Sequence, residues 1–375
     1  MPKCKWLVAG LLLVMLVGSV PAKADGPFIL MDGIDDWRAE IFCGNPAVRG
    51  FVQGPKLQGA ASGIIVFDSQ GNGYVACESF VQVVSKDGQA RILTGQPDIT
   101  GNTDGPPGVA TFGNAIDIAI ANDNLLFVAD AANLTLRKIE RRPDGRWHTT
   151  TVAGVPGVKG HRDGPGRQAL FMSVFDSLTI DANGVVFLFD GDWIRTFDNG
   201  VVTTLNPEGG TGYENGPLTK ARFAHSQGRQ HGLTCDGKGN LYVADKVNMA
   251  IRKVDLTNSE VTTFAGVLPG LPKDRPRDGK ALDARFHPGG GPNMIFYNAR
   301  LDALICRSDD ESAIRIIKDG YMKTFGPGPG KHEAEVGPWK DAAGGVPCGI
   351  DSDGNVYVMG SGCIRVVKQT KGTGK

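Results

Sequence analysis

The sequence has no long apolar run after its N-terminal region. No stretch beyond residue 24 is continuously apolar for about 18 residues, the length that a membrane-spanning helix needs. It also has no block of like charge, since 40 basic and 40 acidic residues are interspersed along the chain. A nucleic-acid-binding surface normally requires a basic stripe. We therefore expect no membrane span in the mature chain and no nucleic-acid partner.

Several catalytic motifs are also missing. The sequence contains no nucleophile elbow, phosphate-binding P-loop, dinucleotide fingerprint or HExxH zinc motif. It contains no CxxCH, the attachment motif of c-type haem. Serine hydrolase, nucleotide-dependent, zinc-protease and haem chemistries thus have no support from the sequence.

The N-terminus has the layout of a secretory signal peptide. Lys3 and Lys5 precede an apolar run from residue 6 to 17, and Ala22 and Ala24 form a small-x-small cleavage pattern. We expect cleavage after Ala24 and a mature protein that is secreted or periplasmic. Loss of residues 1–24 removes three lysines and no acid, so the basic residues fall from 40 to 37 against 40 acidic ones.

An internal repeat predicts the fold. Six segments share an apolar strand, a polar turn and an alternating strand. The segments are GNGYVACESFVQVV (71–84), LLFVADAANLTLRKI (125–139), VVFLFDGDWIRTF (185–197), LYVADKVNMAIRKV (241–254), DALICRSDDESAIRII (302–317) and NVYVMGSGCIRVV (355–367). With Val75, Val128, Leu188, Val243, Ile305 and Val358 taken as equivalent, the spacings are 53, 60, 55, 62 and 53 residues.

Each segment has one further strand before it and, in five copies, one after it. Four short antiparallel strands per copy are typical of a propeller blade. The sixth copy lacks its fourth strand, and residues 37–43 have the matching rhythm. We therefore predict an all-β, six-bladed β-propeller over residues 25–370, closed by an N-terminal strand and followed by a basic tail at 371–375.

The phrase GNLYVADxxNxxIRKV, preceded by segments such as DGKALDARF, resembles NHL-repeat proteins of the bacterial secreted type. The resemblance covers about residues 37–368 and is strongest in the second and fourth copies. Copies one, five and six depart from it, with Cys77, Arg307 and Gly360 where the others have Asp. The resemblance implies a six-bladed propeller and no single activity, because this fold hosts binding proteins, lactonases and lyases.

Asp130, Asp190 and Asp245 occupy equivalent positions at the end of the second strand. Asp and Asn side chains bond nearby backbone amides and so favour turns. Catalysis does not require three copies of one acid around a ring, and we interpret these residues as turn formers. The DG and NG pairs of the long loops between blades are likewise interpreted as turns.

The residues that begin each first strand converge on the mouth of the central channel. To within one residue of register they are Gly63, Asp117, Asp176, His231, Asn293 and Val346. Among them, Asp117, Asp176, His231 and Asn293 offer oxygen and imidazole ligands for one divalent cation: calcium, zinc or manganese. His225 and His287 lie near the same face and are interpreted as loop residues.

A channel metal is also implied by a resemblance to gluconolactonase-type propellers and to amidoglycolate lyases. The sequence departs from the acid-plus-two-Asn set of the former and from the three equivalent His of the latter. The alternative is a water-filled channel lined by polar groups. Both interpretations remain open at the level of the sequence.

Six cysteines remain in the mature chain. Alignment of the repeats gives Cys43 the place of Ala265 and Cys363 the place of Ala250, which predicts that the two face each other. A disulfide there would fasten the terminal strand, and export permits one. The other four are expected to be buried small apolar residues.

The leading functional hypothesis is an exported module that binds a protein, glycan or small-molecule ligand through its loop-rich face. The alternative is a metal-dependent hydrolase or lyase of lactonase or amidoglycolate-lyase type. In that case the metal at the channel mouth would polarise a carbonyl or activate water.

Overall fold

The computed structural model describes residues 36–44, 54–55, 63–86, 89–172, 177–224, 232–267, 278–286, 291–308, 314–326, 337–338, 345–360 and 363–370. Within these ranges the strands form six antiparallel sheets, each one blade of a propeller. The six-bladed all-β prediction is confirmed. The predicted signal peptide at 1–24 and the tail at 371–375 lie outside the described residues.

Blades one and two follow one another along the chain. Blade one contains β2 (Gly54–Pro55), β3 (Ile65–Phe67), β4 (Gly73–Cys77), β5 (Phe80–Val84) and β6 (Gln89–Gly95). Blade two contains β7 (Ala115–Asn122), β8 (Leu125–Asp130), β9 (Thr135–Arg141) and β10 (Trp147–Ala153).

Blades three and four have five strands each. Blade three contains β11 (Gly164–Pro165), β12 (Leu178–Ile180), β13 (Val186–Asp190), β14 (Trp193–Asp198) and β15 (Val201–Thr204). Blade four contains β16 (Gly216–Pro217), β17 (Leu233–Cys235), β18 (Asn240–Asp245), β19 (Ala250–Asp255) and β20 (Glu260–Ala265). Single-turn 3-10 helices follow β11 and β16, at Gly166–Gln168 and Leu218–Lys220.

Blades five and six complete the ring. Blade five contains β21 (Gly279–Lys280), β22 (Pro292–Asn298), β23 (Ala303–Ser308), β24 (Ile314–Lys318) and β25 (Tyr321–Phe325). Blade six contains β26 (Gly337–Pro338), β27 (Val346–Ile350), β28 (Val356–Gly360) and β29 (Cys363–Gln369), with β1 (Trp37–Gly44) beside β29. The predicted N-terminal closing strand is thus confirmed.

A short fifth strand, not predicted from the sequence, lies at the outer edge of five blades. It comes from the loop that precedes each blade and consists of two residues, usually Gly-Pro. In blade two the corresponding contact is a single bridge between Gly105 and Thr149. Proline is tolerated at a sheet edge, and so short a strand leaves little edge for another chain to pair with.

The core consists of the two faces of each sheet, packed against the neighbouring blades. The second strands have the most uniformly buried residues; four of them carry an unbroken run of five. In blade five, however, Cys306 pairs with Arg315 as Val243 pairs with Arg252 in blade four. Cys306 is therefore the equivalent residue, and the sequence alignment on Ile305 is wrong by one position.

Candidate functional site

A fully buried arginine on the third strand anchors blades two, three and four. The arginines are Arg137, Arg195 and Arg252, and their side chains are 0% exposed. In each blade one Nη atom donates to the second-strand aspartate, at 3.0, 2.6 and 2.8 Å respectively. The guanidinium groups also stack over Phe112, Phe171 and Phe223, with 4.9–5.3 Å to the ring centroids.

The second-strand aspartates hold the loop that enters their own blade. Asp245 accepts from the backbone N–H of Ala224, from the Asn248 side chain and from Arg252, at 2.8–2.9 Å. Burial raises the pKa of the Asp245 carboxyl above its usual range, while these donors act in the opposite direction. The interpretation as a local turn former was incomplete, because its backbone donor lies 21 residues away. Asp245 is structural, through long-range contacts.

The aspartates of the DG pairs have a matching role, which sequence reasoning missed. Asp104 accepts from Arg137 at 3.0 Å and from the Thr151 amide and hydroxyl at 2.9 Å. Asp163 does the same with Arg195 and Thr204, and Asp278 with Arg315 and Thr324. In the sequence, the signal for this role was a threonine that recurs in the fourth strand. Each of these aspartates therefore joins the loop that carries it to a buried arginine.

These loops and the turns after each second strand emerge together, because strand direction alternates within a blade. We call these turns, and the loop residues that do not lie along the outer sheet edge beside the fifth strands, the top face. Seven large apolar side chains of the described residues are exposed, and four of them lie on the top face. The four are Ile99, Val158, Met172 and Val247, with exposed fractions of 44–57%. Ile99 and Val158 occupy equivalent turns in consecutive loops, each bonded back to the residue three before it.

Two residues of the predicted metal set, Asp117 and Asn293, are among the described residues; Asp176 and His231 lie outside them. Asp117 is 0% exposed, and its two carboxylate oxygens accept the amides of Ile118 at 2.7 Å and Leu178 at 2.8 Å. It thereby joins the first strands of blades two and three. Asn293 is buried at an irregular position between the paired residues Pro292 and Met294.

The strand register refines the predicted alignment of this set. Asp117 pairs with Ala129, which makes Ser177 and Gly232, rather than Asp176 and His231, its equivalents in the next two blades. No group of three His, Cys, Asp or Glu side chains in the described part of the chain is arranged to hold a metal. The channel metal, with the hydrolase or lyase activity that it implies, stays a prediction. Elemental analysis of protein purified without chelators tests it.

The terminal cysteines are offset by one residue in the register. Cys43 pairs with Ile364 and Cys363 with Gly44, after an irregularity between Ile41 and Cys43. Both cysteines are buried. Neighbouring positions along a strand point to opposite faces, so a bridge requires this strand end to shift by one residue. The disulfide stays a prediction that non-reducing peptide mapping tests.

Three of the remaining cysteines, Cys77, Cys306 and Cys348, are buried as expected, and Cys235 is half-buried. Burial raises the pKa of both the Cys235 and Cys306 thiols to about 12. Such thiols are protonated at neutral pH and poorly nucleophilic. They give no support to cysteine-based catalysis.

Blade three carries a half-exposed aromatic pair on the top face. The His161 and Trp193 rings lie 4.7 Å apart at 52°. The Nδ1 atom of His161 is 3.7 Å from Oδ2 of Asp190, and its Nε2 is 3.2 Å from the Thr204 hydroxyl. Burial, and then the charge of Arg195, lower the pKa of His161, against the opposing effect of Asp190 and Asp163.

No helix among the described residues is long and apolar enough to cross a membrane. No protein-family model matches the sequence, and no curated protein matches it. Solved structures do match, among them a structural genomics protein of unknown function from Bacteroides thetaiotaomicron. Its TM-score is 0.63 at 14% identity, over 88% of this chain and 75% of that one.

Auxiliary nutrient binding proteins from B. thetaiotaomicron and Bacteroides ovatus match with TM-scores of 0.60 at 13% identity. The alignments cover 89% and 88% of this chain, and 77% and 76% of theirs. At these identities the similarity shows the fold alone: the chain is a six-bladed β-propeller.

Proposed function

We propose that the protein is an exported, NHL-type propeller that binds a ligand or partner through its top face. The observation that carries the proposal is the concentration of exposed apolar side chains there. Single exposed apolar residues are normal on a protein surface. Four of the seven in the described residues, however, lie on this one face, where buried arginines fix the bases of the loops. A pre-organised surface of this kind loses little entropy on binding.

The NHL assignment is supported by the physical roles of the repeated phrase. In the stretch VADKVNMAIRKV, Asp245, Asn248 and Arg252 belong to one buried network. Blade two repeats it with Asp130, Asn133 and Arg137. The recurring residues are thus explained by folding, which leaves the loops available for a function that differs from one member to another.

Export rests on the predicted signal peptide. If it is cleaved as proposed, N-terminal sequencing of the protein recovered outside the cytoplasm begins at Asp25. A protein that retains residues 1–24 in that fraction contradicts cleavage.

A thermal-shift screen tests binding. The name of the two nutrient-binding neighbours guides the choice of compounds toward sugars, amino acids, short peptides and vitamins. A compound that binds only the folded state stabilises it by about 2.7 kcal/mol at 100 times its Kd. We expect at least one compound to raise the Tm of the mature protein.

The location of binding is tested with matched variants. Ile99→Ser, Val158→Ser and Val247→Ser alter the top face, whereas Val201→Ser alters a similarly exposed valine at the start of β15. The proposal predicts that at least one top-face change reduces the Tm shift while Val201→Ser leaves it intact. A shift that persists in every top-face variant contradicts it.

A further inference from the structure

Blade three differs from blades two and four in the turn between its second and third strands. In blades two and four this turn places four residues between Asp130 and Thr135 and between Asp245 and Ala250. In blade three only Gly191 and Asp192 separate Asp190 from Trp193. The turn is therefore two residues shorter.

The missing residues have a defined role in the other blades. Nδ2 of Asn133 donates to Oδ2 of Asp130 and to the carbonyl of Gly101, both at 2.7 Å. Nδ2 of Asn248 makes the same two contacts, to Asp245 at 2.8 Å and to Gly212 at 2.7 Å. Each asparagine thus joins its turn to the neighbouring loop. The short turn of blade three supplies no asparagine for this position.

Aromatic and apolar residues flank this short turn. Trp193 is half-buried, whereas its equivalents Thr135 and Ala250 are buried. Met172, 44% exposed, donates its backbone N–H to Asp190, the residue that pairs with Trp193. The Asp192 carboxylate is held by the hydroxyl of Thr211 from the following loop. We call His161, Met172, Asp192 and Trp193 the blade-three notch.

The charges around the notch disfavour an anionic ligand. The Arg195 guanidinium bonds Asp190 at 2.6 Å and Asp163 at 2.8 Å, so the two carboxylates nearest His161 are already paired. Burial, and then the positive charge of Arg195, lower the pKa of His161 and so favour its neutral imidazole. An anionic ligand would meet the Asp192 carboxylate. A neutral, hydroxylated ligand avoids this repulsion, and its hydroxyls are hydrogen-bond donors for the carboxylate.

Building on the top-face function proposed above, we infer that the blade-three notch binds a neutral saccharide ring. The apolar face of the ring packs on Trp193 and Met172. Its hydroxyls donate to the Asp192 carboxylate, and the neutral imidazole of His161 supplies one donor and one acceptor. A small number of polar groups beside an apolar surface is the usual composition of a small-ligand site.

The test uses the mature protein on an array of neutral oligosaccharides, followed by calorimetric titration of the saccharide bound. We expect Trp193→Ala to weaken binding by about tenfold or more, as for a central aromatic contact. Trp193→Phe should retain part of the affinity. Val201→Ser, at the start of β15 on the opposite face of the same blade, should bind as the wild type does.

A second variant closes the notch without deleting its aromatic residue. Gly191 and Asp192 are replaced by the four residues 246–249 of blade four, which restore the length and the asparagine of the repeat. We expect this variant to fold with a Tm near that of the wild type and to lose saccharide binding. Its stability is measured by thermal unfolding alongside Trp193→Ala.

Three results overturn the inference: no neutral saccharide binds, binding is confined to amines or acidic sugars, or both notch variants bind with wild-type affinity. The top-face proposal fails separately. If another compound binds and Val247→Ser or Ile99→Ser weakens it while the notch variants do not, the notch is excluded and top-face binding stands.

Discussion

Buried arginines determine which residues of the repeat cannot be substituted without a large loss of stability. Arg252 is completely buried and is satisfied by Asp245 on one side and by Asn215 on the other. Removing one partner of a buried ion pair leaves an uncompensated charge, which is far costlier than losing a surface pair. The three second-strand aspartates therefore have a structural role.

We predict that Asp245→Ala lowers the free energy of unfolding by about 3–5 kcal/mol, the usual cost of breaking a buried pair. Asp255→Ala is the control, because that exposed carboxylate accepts only from the nearby Thr257 and Asn258. We expect the control to cost about 1 kcal/mol or less. Denaturant unfolding measures both, and equal losses would argue against the ion-pair account.

His161 gives a prediction in pH. Its pKa is lowered in the folded protein, first by burial and then by Arg195. As pH falls below about 6.5, the unfolded chain takes up the proton first, so the contribution of His161 to stability is lost. The wild type should therefore gain more stability between about pH 5 and pH 7 than His161→Phe, which keeps a ring beside Trp193. Denaturant unfolding at the two pH values measures this, and identical gains would refute the assignment.

The sequence predicted part of this residue-scale picture. The recurrence of Asp130, Asp190 and Asp245 correctly indicated a structural role, because folding repeats around a ring and a catalytic centre does not. The partner arginine was not identified, since an alternating strand normally exposes its charged positions. The blade-three notch was also missed. Its turn is two residues shorter than those of blades two and four, and the sequence does not show that Asn133 and Asn248 each bond a carbonyl of the neighbouring loop.

At the scale of elements, the ring is closed by a strand from the opposite end of the chain. Strand β1 pairs with β29 over seven residue pairs, and Trp37 packs edge-on against Phe325 at 5.0 Å between centroids. Trp37 also belongs to the cluster of buried residues that joins blades five and six. Closure thus depends on contacts between residues about 300 positions apart in sequence.

Trp37→Ala should destabilise the protein by about 3–5 kcal/mol, because a large buried aromatic leaves a cavity when it is truncated. Glu40→Ala on the same strand is the control, since Glu40 forms a surface pair with Lys368. Surface pairs contribute about 0–1 kcal/mol. Thermal or denaturant unfolding distinguishes the two, and a Trp37→Ala loss as small as the control would contradict the closing role of β1.

The elements were largely predictable because periodic apolar strands recur at intervals of 52–63 residues. The fifth strands were not, because two residues such as Gly164–Pro165 carry no periodicity. The register at Cys43 was missed for a similar reason. An irregularity between Ile41 and Cys43 shifts the pairing by one, and repeat alignment does not reveal it.

At the scale of the whole molecule, side-chain hydrogen bonds between first strands connect neighbouring blades around the ring. Asp117 accepts from Leu178, Ser177 from Gly232, and Thr234 from Tyr297, each across one blade boundary. These contacts make neighbouring blades depend on one another. The top-face loops, by contrast, are anchored at their bases and vary in sequence and length, as expected of the binding surface of a rigid scaffold.

Amide hydrogen exchange, measured with and without a compound that raises the Tm, tests the central claim most directly. The account predicts slower exchange in the top-face segments 96–101, 155–163, 190–193 or 205–213. It predicts no local protection in the turns of the opposite face, such as 68–72 and 198–201. Protection confined to those opposite turns would contradict binding through the top face.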